Sequence, residues 1–215
     1  MSKPTDDLQI YNRQSQLRLR GRKKQDTAER IYRAALRLFR ERGYAATTID
    51  EIAQAAGVAN GTFFSYYPIK DAVLSHFGRQ QMRLVEEAIA MVPDFEKIPA
   101  YGQILFVFNL LAAGAQGDRE FLRVIIHEIF NSAFAFSDTA SSAHQLYELV
   151  LEMVRRGQER GELQTTAMAE SMTLILLSTY FYTFINWLEM ENPPQLSQML
   201  QTHLNVLLDG MKPSR

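Results

Sequence analysis

The chain has 215 residues, of which 47% are hydrophobic and none is cysteine. The lack of cysteine excludes disulfides, thiolate zinc sites and a cysteine nucleophile, and it fits the reducing cytoplasm, where we expect the protein to act. The first 80 residues hold 14 Lys or Arg and 8 Asp or Glu, a net charge of +6. The remaining 135 residues hold 9 Lys or Arg and 16 Asp or Glu, a net charge of −7. This segregation is typical of a basic module for a polyanion joined to an acidic body, although an ordinary solvated surface can also show it.

The N-terminal segment, residues 1–25, has no apolar periodicity and does not resemble a signal peptide. It contains a basic run made of Arg18, Arg20, Arg22, Lys23 and Lys24. We predict a flexible basic arm.

The most apolar segment of the chain, residues 172–188, is interrupted by polar side chains. It therefore predicts a buried helix rather than a membrane span, and we expect no membrane partner.

Three short helices are predicted after the arm. Ile31, Ala35, Leu38 and Phe39 fall on one face of a helix that starts at about Asp26, which with Glu29 forms a plausible capping pair, and ends at Gly43. The segment from Thr48 to Glu51 is a capping-box sequence, and the helix that it opens ends at Gly57. A third helix covers residues 60–67 and is closed by Pro68.

The second and third helices have the features of a helix-turn-helix. Ala53 is small enough for two helices to cross closely, and Gly57 tolerates the left-handed geometry of the turn. Apolar residues that would hold the pair against the first helix are Ile49, Ile52, Val58 and Phe63. An ordinary helical hairpin shares single features of this set, but not all of them in register.

Only long helices are predicted beyond Pro68. Their ranges are 70–92, 104–115, 120–132, 141–160, 168–191 and 195–208. No segment alternates with a period of two, so the fold class is all-α. Among the histidines, His127, His144 and His203 have no metal-binding spacing, and neither a metal nor a cofactor is expected.

From Thr27 to Leu74 the sequence resembles the TetR family of one-component regulators. The resemblance lies in GYAATT at the end of the first helix, IDEIAQAAGV in the second, GTFFSYYP in the third, and the following KDAVL. It implies a tri-helical DNA-binding domain at residues 26–72, and a helical ligand-binding and dimerisation domain at residues 73–215. The second domain resembles the family in architecture only.

The resemblance also implies which residues contact operator DNA. The third helix would lie in the major groove, Thr48 would present a phosphate site at a helix N-terminus, and Tyr66 and Lys70 align with phosphate contacts of the family. The predicted base contacts come from Ala59, Asn60, Thr62, Phe64 and Ser65. Asn60 stands where many members have Arg or Lys, and Phe64 where Tyr is usual.

These departures leave the third helix without a cation before Lys70. We therefore hypothesise that the arm supplies phosphate attraction by following the DNA backbone or entering the minor groove. The residues assigned to this contact are Arg20, Arg22, Lys23 and Lys24. A solvated tail without a DNA contact is the alternative.

The second domain would provide a dimer interface and an effector site. The resemblance implies a homodimer formed through the last two helices and a cavity among the middle ones. Large apolar residues with scattered polar ones predict a hydrophobic or aromatic effector. The residues predicted to bind it are Phe106, Asn109, His127, Phe130, Asn131, Phe134, Tyr147, Tyr180 and Trp187.

The predicted function is a ligand-responsive repressor that binds a palindromic operator as a dimer and is released by its effector. Two alternatives stay open: a helix-turn-helix protein used for protein contact, and a transcriptional regulator without a small-molecule ligand. An enzyme is not expected, because the sequence lacks a Gly-rich phosphate loop, metal-ligand spacing and a nucleophile elbow.

Overall fold

The computed structural model describes the backbone of residues 4–115, 119–131 and 133–211, and the side chains of these residues except 4–22, 121 and 133–140. Within these ranges all regular structure is helical. The α-helices are α1 (Pro4–Arg42), α2 (Ile49–Ala56), α3 (Asn60–Tyr66), α4 (His76–Met91), α5 (Ala100–Gly114), α6 (Arg119–Asn131), α7 (Ala133–Glu159), α8 (Ala169–Glu189) and α9 (Leu196–Gly210). Two short 3-10 helices cover Lys70–Val73 and Phe95–Lys97.

The chain divides into two compact units, Met1–Val73 and Leu74–Arg215. In the first unit, α1 packs against α2, and α2 against α3. The predicted apolar face of α1 is buried throughout, and it meets a second buried set from α2 and α3. That second set consists of Ile52, Ala53, Ala56 and Phe63, with Tyr67 just beyond α3.

The start of α1 was predicted wrongly. The helix begins at Pro4 rather than near Asp26, and it runs without a break through the segment predicted as an arm. This segment is rich in Gln, Arg, Leu and Lys, which favour helix, and Pro suits a first helical position. Its sequence lacks an apolar stripe, so a search for amphipathic periodicity does not detect it.

Two later boundaries also differ from the prediction. The predicted helix 70–92 is a 3-10 turn, Lys70–Val73, followed by α4 from His76, and the break falls where the first unit ends. Val73 and Leu74 are apolar and buried, which a continuous helix would also predict, so the apolar periodicity does not reveal the break. Helix α7 begins at Ala133, eight residues before the predicted 141.

The second unit is built around α5, which packs against α4, α7 and α9, while α8 packs against α6, α7 and α9. Helix α9 buries Leu196, Leu200, Leu204 and Leu208, one residue per turn on a single face. None of the helices in the described ranges is long and apolar enough to cross a membrane.

Candidate functional site: the helix-turn-helix and an apolar cavity

The turn between α2 and α3 is formed as the sequence predicts. Gly57 ends α2 in the left-handed conformation, with φ 65° and ψ 41°, which a residue with a side chain rarely adopts. From α1, Arg30 Nη2 donates to the carbonyls of Ala56 at 2.6 Å and of Gly57 at 3.2 Å. The cation therefore neutralises the C-terminal end of α2 and ties the turn to α1.

Thr48 is the N-cap of α2, and its capping box with Glu51 is complete. The backbone N–H of Thr48 donates to Glu51 Oε2 at 2.8 Å, its hydroxyl donates to the same oxygen at 2.9 Å, and the hydroxyl accepts from the N–H of Glu51 at 3.3 Å. Arg42 adds an ion pair to Glu51 at 2.7 Å. The hydrogen bonds from the Thr48 backbone and side chain, followed by the Arg42 charge, lower the pKa of Glu51.

Helix α3 presents one buried and one exposed face. Phe63 is buried, and Tyr67, the C-cap, is buried with its hydroxyl donating to the carbonyl of Ala28 at 3.2 Å. Of the residues predicted to contact bases, four are exposed and Thr62 is half-buried. The exposed four are Ala59, Asn60, Phe64 and Ser65.

Two of these exposed residues already have partners within the unit. Asn60 Nδ2 donates to Asp50 Oδ1 at 2.5 Å, and Ser65 Oγ donates to the carbonyl of Gly61 at 2.9 Å. An amide nitrogen has two N–H groups, and Asp50 accepts from one of them, so a contact of the other with a base stays a prediction. Asp50 was not identified from the sequence, because its contact depends on how α2 and α3 cross.

Lys70 holds the connection between α1 and α2. Its Nζ donates to the carbonyls of Tyr44 at 2.8 Å and Thr47 at 2.9 Å, and it lies 4.2 Å from the centre of the Tyr44 ring. The Tyr44 hydroxyl in turn donates to Asp71. Two of the three N–H groups of Lys70 are thus used inside the unit. Tyr66 is half-buried. Phosphate contacts by Lys70 and by Tyr66 stay predictions.

The basic residues assigned to the predicted arm are only partly described. Lys23 and Lys24 are exposed on α1, whereas the side chains of Arg20 and Arg22 lie outside the described residues. Because the backbone here is helical, any cations directed at DNA would be spaced along a helix rather than along an extended arm.

The second unit contains a cavity of about 110 Å³ bounded by α4, α5, α6, α7 and α8. Its wall is apolar except for the side chains of Gln81, Ser142 and Tyr180. The apolar part is formed by Phe77, Gly78, Met82, Leu111, Ala115, Ile126, Ile129, Ala143, Leu146, Phe181 and Phe184. Such a wall suits a hydrophobic ligand that carries few polar groups.

Tyr180 is the one predicted effector residue that lines this cavity, among those with described side chains. Its ring stacks on Phe108 at 5.2 Å and on Phe184 at 6.3 Å, and burial raises the pKa of its hydroxyl. Phe106 and Tyr147 are half-buried against the core, and Trp187 is buried with its N–H donating to the carbonyl of Pro194 at 2.9 Å.

Four other predicted effector residues do not line the cavity. Asn109, His127, Phe130 and Asn131 are exposed, and His127 Nδ1 is 3.0 Å from Asn131 Nδ2. The Phe134 side chain lies outside the described residues. Ligand contact by these residues stays a prediction. The sequence did not single out Ser142 or Gln81, because the rotation of each helix about its axis is set by packing.

Across the described part of the chain, no cluster of three His, Cys, Asp or Glu residues is arranged to hold a metal ion. Arg119 caps the end of α8. Its Nη1 donates to the carbonyls of Met190 at 2.5 Å and Trp187 at 3.3 Å, and its guanidinium lies 5.8 Å from the Trp187 ring centre.

A helix-turn-helix unit followed by a helical unit with an apolar cavity is the architecture of a ligand-responsive DNA-binding regulator. Residues 31–77 match the family of bacterial regulatory proteins of the TetR family, and residues 84–210 match the C-terminal domain of TetR/AcrR family transcriptional repressors. The chain belongs to the TetR family. Members bind operator DNA, act as dimers and respond to small-molecule effectors, and this protein is a DNA-binding transcriptional repressor of that kind.

Solved structures with the same fold include two regulators bound to acyl-CoA. FadR of Thermus thermophilus, a TetR-family repressor in complex with lauroyl-CoA, is 32% identical, with a TM-score of 0.67 over 87% of this chain and 96% of that chain. FadR of Bacillus subtilis in complex with stearoyl-CoA is 19% identical, with a TM-score of 0.70 over 85% of this chain and 98% of that one, a likeness of fold alone.

Curated relatives are transcriptional regulators. The fatty acid metabolism regulator protein of Bacillus subtilis is 25% identical over 187 residues, which is 84% of this chain and 93% of that protein. The HTH-type regulator YerO of the same organism is 36% identical over 75 residues, so that match spans only 26% of the relative.

Proposed function

We propose that this protein represses transcription as a dimer on a palindromic operator, and that a long-chain fatty acyl-CoA releases it. The observation that carries the proposal is the apolar cavity bounded by α4 to α8. The family supplies the DNA-binding role, and the relative with bound lauroyl-CoA, at 32% identity over most of both chains, supplies the ligand class.

The wall of the cavity fits an acyl chain better than an anionic effector. Its described lining contains no charged side chain, so a buried anion would have no counterion there. Each methylene moved from water into such a wall contributes about 0.8 kcal/mol. An acyl thioester can bury part of its chain here and leave the highly charged CoA moiety in water.

The dimer interface is proposed to lie on the exposed side of α8 and α9. Several large apolar side chains remain exposed on α8 and one on α9, and exposed apolar surface is typical of protein contacts. These exposed side chains are Leu174, Ile175, Phe181, Tyr182 and Ile185 on α8 and Val206 on α9. The opposite face of α8, with Leu177, Tyr180, Phe184 and Leu188, is buried in the protein's own core.

Release from DNA follows from two states of the dimer. One state spaces the two α3 helices for adjacent major grooves, about 34 Å apart, and the effector stabilises a state that spaces them differently. A coupling free energy of about 1–3 kcal/mol would weaken operator binding roughly 5- to 150-fold.

The test is a displacement titration. Genomic fragments that bind the purified protein are selected, and the best fragment is labelled for fluorescence anisotropy. Lauroyl-CoA is expected to lower the anisotropy, whereas free CoA and lauric acid at equal concentration leave it unchanged. Operator binding that no acyl-CoA alters would contradict the proposed effector. Weak binding without salt dependence would favour a helix-turn-helix used for protein contact.

A further inference from the structure

We infer that Ser142 on α7 is a specificity-determining residue whose hydroxyl donates a hydrogen bond to a neutral oxygen of the acyl group of the effector. The inference rests on the acyl-CoA effector proposed above. The Ser142 hydroxyl would then be the hydrogen-bond donor that positions the acyl group in the cavity.

The Ser142 hydroxyl is buried without a partner. The residue is 5% exposed, it lines the cavity, and its Oγ has no hydrogen-bond partner. Among buried side-chain nitrogen and oxygen atoms of the described residues, Arg83 Nε is the other one in that condition. A buried hydroxyl that makes no hydrogen bond destabilises the fold, so its presence calls for an explanation.

The other buried polar residues of the described chain all have partners. Thr173 in α8 donates to the carbonyl four residues earlier at 2.8 Å, which is a common arrangement for a helical hydroxyl. Thr47, between α1 and α2, donates to the carbonyl of Gly43 at 2.8 Å. Thr183 pairs with His203 Nδ1 at 2.9 Å, and Gln103 donates to two carbonyls. Ser75 accepts from Arg79 at 3.0 Å. Among the buried polar residues of the described chain, Ser142 is therefore the one whose side chain makes no hydrogen bond.

The chemistry of the cavity wall restricts what Ser142 can bind. Besides Ser142, the polar lining consists of the Gln81 amide and the Tyr180 hydroxyl, whose pKa is raised by burial. No charged group described in the wall would balance a buried carboxylate or phosphate. The oxygen that faces Ser142 must therefore be neutral. In an acyl-CoA, the neutral oxygen is the thioester carbonyl or a hydroxyl carried by the acyl chain. The same requirement excludes the carboxylate of a free fatty acid.

The test measures dissociation constants by calorimetry for three CoA derivatives of equal chain length. They are lauroyl-CoA, its thioether analogue in which a methylene replaces the carbonyl, and lauroyl-CoA with a β-hydroxyl. The proteins are wild type, Ser142→Ala, and Ser141→Ala as the matched control, since Ser141 is exposed and does not line the cavity.

A neutral hydrogen bond contributes enough to expect a loss of affinity of about two- to tenfold. If the thioester carbonyl is the acceptor, Ser142→Ala weakens lauroyl-CoA by that factor and leaves the thioether unchanged. If a chain hydroxyl is the acceptor, wild type prefers the β-hydroxyl derivative, and Ser142→Ala removes this preference. Ser141→Ala binds all three as wild type does.

Equal affinities of wild type and Ser142→Ala for all three derivatives would overturn the inference while leaving the acyl-CoA effector intact. Failure of wild type to bind any derivative would instead refute the proposed function. Thermal unfolding of ligand-free Ser142→Ala separates binding from folding, because removing an unsatisfied hydroxyl is expected to leave the melting temperature unchanged or raise it.

Discussion

Phe63 and Phe64 are consecutive residues of α3 whose rings meet edge to face with centroids 5.7 Å apart, yet Phe63 is 0% exposed and Phe64 is 50% exposed. Successive residues of a helix point about 100° apart, so one ring is buried in the core and the next lies on the surface predicted to face DNA. Substitutions at these two positions can therefore test the stability of the unit and the predicted DNA contact separately.

Replacing Phe63 should therefore affect mainly stability, and replacing Phe64 mainly operator affinity. Phe63→Ala is expected to lower the free energy of unfolding by about 3–5 kcal/mol, because it leaves a cavity in the core. Phe64→Ala should leave stability nearly unchanged and weaken operator binding by about 1–3 kcal/mol, the range of one base contact. Urea denaturation and operator anisotropy measure the two quantities. Unchanged operator affinity in Phe64→Ala would remove this residue from the interface.

Lys70→Met tests whether this residue contacts a phosphate or only braces the fold. Losing both hydrogen bonds to the carbonyls of Tyr44 and Thr47 is expected to lower the free energy of unfolding by about 1–3 kcal/mol. A phosphate contact would also reduce the slope of log affinity against log salt by about one unit. Loss of stability with an unchanged salt slope would assign Lys70 a purely structural role.

The capping box at Thr48 and Glu51 predicts a pH dependence of stability. The pKa of Glu51 is lower in the folded protein than its ordinary value of 4.5, so its carboxylate stabilises the fold above that pH. The contribution is lost as pH falls through the folded pKa. The melting temperature of wild type should exceed that of Glu51→Gln near neutral pH, and the difference should shrink below pH 4.5. A difference independent of pH would contradict the assignment.

Tyr182 tests the proposed dimer interface. It is 73% exposed on α8, beside other exposed apolar side chains. Tyr182→Glu should leave folding intact and convert the dimer to a monomer, because a charge in an apolar interface is desolvated without a partner. Leu84→Glu, at an exposed apolar position of α4, is the control and should stay dimeric. Sedimentation velocity decides between the states, and a dimeric Tyr182→Glu would place the interface elsewhere.

The length of the acyl chain should govern affinity. Two additional methylenes buried in the cavity contribute about 1.6 kcal/mol, which is roughly fifteenfold in affinity, until the cavity is filled. Ala143→Leu adds volume to the wall and should shift the optimum to a shorter chain. Titration with a series of saturated acyl-CoAs measures both effects. Affinities that do not depend on length would show that the chain binds outside the cavity.

Local features of this fold were predictable from the sequence. The capping box at Thr48 and the left-handed turn at Gly57 arise from interactions between residues close in the chain. The apolar periodicity around Ile31 is likewise readable in a short segment, and it predicts which face of α1 is buried. The resemblance to the TetR family in the same region is confirmed. The start of α1 at Pro4 was missed, because a helix without an apolar stripe leaves no periodic signal.

The cavity depended on the tertiary structure. Nine residues were predicted to bind the effector. Among those with described side chains, Tyr180 is the one in the cavity wall. Ser142 also lines the cavity, but no pattern in the sequence indicated it. Periodicity indicates that a helix has a buried face, but not which neighbour covers it or where packing leaves a gap.

The sequence alone predicted an all-α fold with a helix-turn-helix near its N-terminus, because caps, turns and one-sided apolar faces are properties of short segments. The resemblance to the TetR family added the regulatory role. Only the tertiary structure decided that Lys70 braces Tyr44 and that Ser142 and Tyr180 share one cavity. Those relationships join residues more than 25 positions apart, and they exist only after the helices have packed at particular rotations and angles.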